Sequence, residues 1–255
     1  MKQIQRWKEI VSILQNDGSL SAEELAEKLD VSIATIRRDL VQLNKDQAIV
    51  RTWGGAKVKI EETEEPDMKA KTFRNSLAKE TIAKYAASLI QDRMTVCIDS
   101  GSTNILMIKY ITAKDIIVVT NGLLQVQQLA EKNIRSFILP GEIKANTLAS
   151  IGEKTLEALD LFNFDICFIG SNGVDSKTGF STHEVNEAEV KRRMLQKSRQ
   201  RYIVADSSKF NHSYFVSFCS INDATLITEK RVDDFDYSQC NCIVLDENTE
   251  KEDRS

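Results

Sequence analysis

Proline is nearly absent from this 255-residue chain, at two residues, and glycine is sparse at ten. That scarcity excludes collagen-like and low-complexity architectures, which need both in quantity. Hydrophobic residues at 42% and charged residues at 28% also argue against a disordered chain. No run approaches the about 18 consecutive apolar residues of a membrane helix, so no membrane partner is expected. The opening Met1-Lys2-Gln3-Ile4-Gln5-Arg6-Trp7-Lys8-Glu9 interleaves charge with apolar residues and lacks the apolar core and cleavage site of a signal peptide. A cytoplasmic protein is expected. At about 150 residues per domain, the length predicts one large domain with a small companion.

Cysteine is also scarce. Cys97, Cys167, Cys219, Cys240 and Cys242 make an odd number, and runs such as Val96-Cys97-Ile98 and Ile166-Cys167-Phe168 read as core thiols rather than a disulfide framework. Cys240-x-Cys242 with His183 and His212 does not reproduce a common zinc spacing. No metal or cofactor is expected. Basic excess is lacking too, the net charge being −4. The average hides an uneven distribution: between residues 35 and 57, five basic residues (Arg37, Arg38, Lys45, Arg51, Lys57) stand against Asp39 and Asp46.

What is present begins with three short helical patterns. Ile4, Trp7, Ile10, Val11 and Leu14 recur at helical spacing and stop near Asn16-Asp17-Gly18, a turn signal. Ser21-Ala22-Glu23-Glu24 is a capping box ahead of Leu25 and Leu29. Ser32 can cap a third helix whose Ile33, Ile36, Leu40 and Leu43 share one face. Ala34, Thr35, Arg38, Val41 and Gln42 then point away from it, with Arg37 at the flank. Such small, hydroxylated and cationic groups at a helix start suit base edges and phosphates in a major groove, although an ordinary solvated helix could carry them too. Ala48 to Trp53 and Ala56 to Ile60 flank Gly54-Gly55 and read as a hairpin turning on that glycine pair. The candidate DNA-contacting residues are Ser32, Ala34, Thr35, Arg37, Arg38, Gln42, Arg51 and Trp53.

Arg6-x3-Ile10-x3-Leu14, Ser32-x-x-Thr35-Ile36-Arg37-Arg38-Asp39-Leu40 and Arg51-x-x-Gly54-Gly55-Ala56 together resemble the winged-helix signature of the DeoR family of bacterial transcriptional regulators. Trp53 departs from it, since the family usually carries His there. The expected domain spans 1–60. The acidic, proline-containing stretch 61–75 reads as a linker.

From residue 76 onward, apolar runs of strand length alternate with amphipathic stretches. The runs are Thr95 to Ile98, Ile116 to Thr120, Ser136 to Leu139, Asp165 to Ile169, Tyr202 to Ala205, Thr225 to Ile227 and Cys242 to Leu245. Helices fit at Lys79 to Ile90, Leu123 to Lys132, Ile151 to Leu161 and Glu184 to Gln196. The expected fold class is α/β, with a mainly parallel sheet flanked by helices in residues 76–255 and a small N-terminal winged helix-turn-helix domain. Ligands of such sheets bind beyond the carboxyl ends of the strands. There the sequence offers Asp99-Ser100-Gly101-Ser102-Thr103, Thr120-Asn121, Gly170 to Asp175, and Asp206 to Phe210 with Lys209: small residues, hydroxyls, amides and a cation suited to a small polar anion.

These turns, with Glu187-Ala188-Glu189-Val190-Lys191, resemble the DeoR family's effector domain, whose fold is similar to ribose-5-phosphate isomerase. The resemblance implies a phosphorylated sugar effector. The candidate effector-binding residues are Asp99, Ser100, Gly101, Ser102, Thr103, Thr120, Asn121, Asp175, Lys191 and Lys209. The leading expectation is a regulator, a repressor of a sugar-metabolism operon, with double-stranded operator DNA as partner and no catalytic residue. Paired half-sites would make it a homodimer or larger homo-oligomer. The alternative is a sugar-phosphate isomerase fused to a DNA-binding head. Asp99, Asp175 or Glu187 could then serve as base, but the Lys-Gly-Gly-rich segment of similar isomerases is missing. A third reading makes the α/β domain a dimerisation body alone.

Overall fold

A computed structural model describes residues 2–46, 48–58 and 67–246. The chain divides into two compact units, Met1–Ser76 and Leu77–Ser255. The first contains α1 (Gln3–Asp17), β1 (Leu20–Ser21), α2 (Ala22–Leu29), α3 (Ile33–Lys45), β2 (Ile49–Thr52), β3 (Gly55–Val58) and α4 (Met68–Phe73).

Local chemistry sets these boundaries. The Ser21 hydroxyl accepts from the Glu24 amide at 3.1 Å while the Glu24 carboxylate accepts from the Ser21 amide at 2.7 Å, which completes the expected capping box. The Ser32 hydroxyl accepts from the Thr35 amide at 3.2 Å and starts α3. Ile10, Val11, Leu14, Leu25, Ile36, Leu40 and Leu43 form the core. Two expected core residues lie outside it: Ile4 is 64% exposed and Ile33 39%, each in the first turn of its helix. Asp39 takes an inward place instead, 2% exposed. Its carboxylate accepts from Arg6 Nε at 2.5 Å, Arg6 Nη2 at 3.2 Å and Trp7 Nε1 at 2.7 Å, tying α3 to α1.

The wing differs from expectation by one residue. Thr52 pairs with Gly55, so the two-residue loop is Trp53-Gly54 rather than the glycine pair. Gly54 supplies the positive φ of 84° that the loop needs. Gly55 is required for another reason. β1 runs beside β3, and a Cβ at Gly55 would sit 1.9 Å from the Leu20 carbonyl oxygen. Of the stretch expected as linker, residues 61–66 lie outside the described residues, as do Lys59 and Ile60 at the end of the expected hairpin. The remainder holds α4, capped by Asp67, whose side chain accepts from the Ala70 amide at 2.8 Å. Phe73 meets the Trp7 ring edge-on at 5.8 Å, and Gln15 donates to Asn75 at 2.9 Å. An acidic, proline-bearing lead-in hid a helix start at Asp67 from the sequence reading.

The second unit runs through α5 (Ser76–Ser88), β4 (Thr95–Ile98), α6 (Ser102–Ile108), β5 (Ile117–Thr120), α7 (Leu123–Glu131), β6 (Arg135–Ile138), β7 (Glu142–Lys144), β8 (Ala149–Ile151) and α8 (Glu153–Leu159). It continues through β9 (Phe164–Gly170), β10 (Gly173–Asp175), β11 (Gly179–Thr182), α9 (Val185–Gln196), β12 (Ser198–Val204), β13 (Val216–Cys219), β14 (Thr225–Thr228) and β15 (Cys242–Val244). The seven expected strand runs form one sheet in the order β15-β14-β12-β9-β4-β5-β6, every pair parallel. Side chains alternate across it. Cys97, Val119, Cys167, Ile169, Ile203 and Leu226 pack with Leu159, Ala188 and Met194 of α8 and α9. Val96, Ile98, Val118, Ile166, Phe168 and Val204 pack with Ile82, Ala86, Met107 and Leu129 of α5, α6 and α7. Burial on both faces leaves each strand with a continuous apolar run. The sequence reading did not foresee two small antiparallel sheets, β10-β11-β13 and β7-β8.

Two outcomes test this account of the first unit. Residues 1–76 alone should melt about 4–8 °C above residues 1–60, because α4 adds roughly 1 kcal/mol through the Phe73–Trp7 contact. Equal melting temperatures by circular dichroism would remove α4 from the unit. Asp39→Ala should destabilise that unit by about 3 kcal/mol, since it leaves Arg6 and the Trp7 indole without their acceptor. A denaturation midpoint within error of the parent would contradict this.

Candidate functional site

The outer face of α3 carries Ala34, Arg37, Arg38 and Val41 exposed, with Thr35 and Gln42 half-buried. Ser32 caps the helix, and its hydroxyl shares a 2.9 Å hydrogen bond with that of Thr35. Arg37 pairs with Glu23 at 3.1 Å, an exposed contact that is weak in water and readily exchanged for another anion. Arg38 Nε folds back on the Ala34 carbonyl at 3.3 Å, and Gln42 donates to Asp46 at 3.0 Å. Arg51 lies exposed on β2, its amide held by Asn44 at 3.1 Å, and Trp53 stands fully exposed at the wing tip. Val41, whose outward direction was foreseen without a role, shares the helix face. Lys57, opposite Val50 on β3, adds an exposed cation to the wing.

The second unit has a topological switch point. β4 is flanked by β5 on one side and by β9 on the other, so the crevice beyond their carboxyl ends is where an open parallel sheet receives a ligand. Asp99 stands there at the end of β4, 1% exposed. Its Oδ2 accepts from Lys191 Nζ of α9 at 2.6 Å and from the Gly170 amide at the end of β9 at 2.9 Å. Lys191 Nζ also donates to the Gly170 carbonyl at 3.0 Å. An ammonium has three N–H donors, so one remains after these two acceptors.

Neighbouring side chains hold the turn that follows. The Ser100 amide donates to Asn121 Oδ1 at 3.1 Å, and Asn121 Nδ2 donates to the Ser150 carbonyl at 3.1 Å. Thr120 accepts from the Gly122 amide at 3.1 Å. Thr120 and Asn121 are therefore engaged in shaping the crevice. Gln125 Nε2 reaches the carbonyls of Asp99 and Gly101, both at 3.3 Å. Gly101 is the N-cap of α6 and offers no side chain, so the first amides of α6 lack a capping acceptor. Among the described residues, the hydroxyls of Ser102 and Thr103 make no hydrogen bond. Buried Asn104 donates to the Phe168 carbonyl at 3.0 Å while its Oδ1 finds no partner.

Two candidates stand apart from this cluster. Asp175 accepts from the Lys177 and Thr178 amides at 3.0 and 2.8 Å, so its carboxylate serves its own hairpin turn. Those bonds hold its pKa below the ordinary carboxylate value. Lys209 follows β12, which lies two strands from β4, about 10 Å away at normal strand spacing. Sequence reasoning placed Glu187 in the family-like segment without a binding role. One turn before Lys191, it accepts from Thr147 at 3.0 Å and Thr182 at 3.2 Å and pairs with Lys144 at 3.1 Å. Its i, i+4 spacing from Lys191 was the available signal; Asn104 and Gln125 gave none. Burial pushes the Cys167 thiol up to about 11.

Comparison with known proteins agrees with this division. Residues 6–62 match the DeoR-like helix-turn-helix domain and residues 74–230 the DeoR C terminal sensor domain. The chain is 37% identical to the uncharacterized HTH-type transcriptional regulator FruR of Bacillus subtilis (strain 168), over 86% of this chain and 88% of that one. It is 31% identical to the lactose phosphotransferase system repressor of Staphylococcus aureus (strain NCTC 8325 / PS 47), over 89% and 92%. Among solved structures, ribose 5-phosphate isomerase A from Methanocaldococcus jannaschii aligns over 53% of this chain and 55% of that one, at 17% identity and a TM-score of 0.40, too slight a likeness to carry an argument. With both family models matched, over residues 6–62 and 74–230, and relatives more than 30% identical along most of its length, the chain belongs to the DeoR family of transcriptional regulators.

Proposed function

We propose that this chain is a cytoplasmic repressor of a sugar-metabolism operon, released from its operator by a phosphorylated sugar bound at the switch-point crevice. One observation carries the reading. Lys191 bonds Asp99 and Gly170 at the ends of β4 and β9, and the start of α6 adjoins them, a Cβ at Gly101 standing 3.6 Å from both Asp99 Oδ2 and the Gly170 Cα; uncapped amides, the Ser102 and Thr103 hydroxyls and a lysine donor are the groups that suit a phosphate. Operator DNA meets Thr35, Arg37, Arg38 and Gln42 of α3, with Arg51 and Trp53 of the wing on the flanking backbone or groove. A homodimer doubles these few contacts across paired half-sites. Release requires that the effector favour the DNA-free arrangement, by about 5.5 kcal/mol for a full swing of populations.

The isomerase alternative fits less well, because a general base needs a carboxylate that can reach the substrate proton. Asp99 is held by Lys191 and Gly170, Asp175 by its turn, and Glu187 by Lys144, Thr147 and Thr182. NMR of sugar phosphates incubated with the protein should show binding without conversion. Turnover that disappears in Glu187→Gln would establish the isomerase instead.

Two substitutions separate the functions. A matching sugar phosphate at 100 times its dissociation constant should stabilise the parent by about 2.7 kcal/mol. Ser102→Asp should abolish that thermal shift while leaving operator affinity intact, since it places a negative charge where the phosphate sits; a normal shift would remove the site. Arg38→Ala should weaken operator binding by about 1–3 kcal/mol at fixed salt with the sensor unit's thermal shift unchanged. Unaltered affinity would remove α3 as the reading helix.

A further inference from the structure

Away from the switch point, α9 borders a second concavity. A cleft of about 480 Å³ lies between the carboxyl-terminal half of α9, β12, β13 and the turn that follows β13. That volume is in the range of small-molecule sites, about 300–1,000 Å³. Its lining includes Arg192 from α9, Arg201 from β12, and Ser217, Cys219 and Ser220 from β13 and its turn.

The two arginines are the unusual feature. Arg192 Nη2 donates to the Ser217 carbonyl at 3.0 Å, and Arg201 Nε to the Ser198 carbonyl at 3.3 Å. Among the described residues, neither forms an ion pair, and their remaining donors are unassigned. Asp223 is the one carboxylate in the lining, which leaves a net positive charge. The hydroxyls of Ser217 and Ser220 are also without partners among the described residues, while Leu195 and Phe218 give the cleft apolar wall. Guanidinium forks with adjacent hydroxyls match the oxygens of a tetrahedral dianion better than a spherical ion.

We propose that this cleft is a second anion-binding site, distinct from the switch-point crevice, that takes a small phosphomonoester through Arg192 and Arg201. Lys191 and Arg192 are consecutive in α9, so one helix carries a cation to each site.

Cys219 supplies a local reporter. Burial, with Asp223 nearby, pushes its thiol up to about 12, while Arg201 and Arg192 act in the opposite direction. An anion neutralising the arginines raises it further and covers it. The test uses the full chain and inorganic phosphate at constant ionic strength, reading iodoacetamide modification of Cys219 by peptide mass spectrometry and the phosphorus-31 line width of the phosphate. Phosphate should slow modification saturably and broaden the line. Arg201→Gln and Arg192→Gln should each raise the half-effect concentration about tenfold, the loss of one charge-assisted hydrogen bond. Ser102→Asp, which removes only the phosphate held at the switch-point crevice, should leave the protection of Cys219 in place. The proposal fails if phosphate leaves Cys219 modification unchanged, if the arginine variants respond like the parent, or if Ser102→Asp abolishes the protection.

Discussion

The Asp99–Lys191 pair at the centre of the large sheet is the contact on which the sensor unit turns. A buried carboxylate and a nearly buried ammonium are costly to desolvate, and removing either alone strands the other at a cost of about 3–5 kcal/mol. The pair joins the ends of β4 and β9, which are far apart in sequence, to α9, which packs beneath them. Its position follows from topology. Only where strand order reverses do two neighbouring carboxyl ends open a crevice, and Gly170 there presents both its amide and its carbonyl to the pair. Around this anchor, Asn121 and Gln125 fix the backbone of 99–101 in the shape a ligand would meet. A turn held that firmly before binding loses little further freedom on binding.

The small unit solves a different problem by similar means. Three short helices offer a limited core, and Asp39 supplements it by drawing Arg6 and Trp7 of α1 onto α3. The side chain that faces inward lies directly after Arg37 and Arg38, which face out. The helix therefore presents its cations to solvent without giving up its attachment. The wing is equally constrained: the close passage of β1 demands glycine at position 55, and the loop demands it at position 54.

How much of this was legible follows from how each part is held. The seven parallel strands were visible because burial on both faces writes an unbroken apolar run, as in Ile166 to Ile169 and Val118 to Val119. The short strands β7, β8, β10, β11 and β13 were not, since three or four residues with mixed polarity carry too little pattern. The helix starts at Ser21 and Ser32 were readable because their capping is local. Asp39 and Asn104 were not, because their partners lie distant in sequence. Asp175 shows the converse. An acid at a strand end is equally consistent with a ligand contact and a turn, and the sequence alone does not show that Asp175 accepts from the Lys177 and Thr178 amides. The hairpin slipped by one residue because two glycines with separate duties stand side by side.

The chain has two tryptophans, and both belong to the first unit. Trp7 is packed against Phe73 with its indole N–H on Asp39, whereas Trp53 stands in water at the wing tip. The intrinsic emission of this protein is therefore a signal from the DNA-binding head alone, with a shielded component and a water-facing one. Excited at the indole band, the sensor unit is silent, so a soluble quencher such as iodide isolates the environment of a single wing-tip ring without any label being attached.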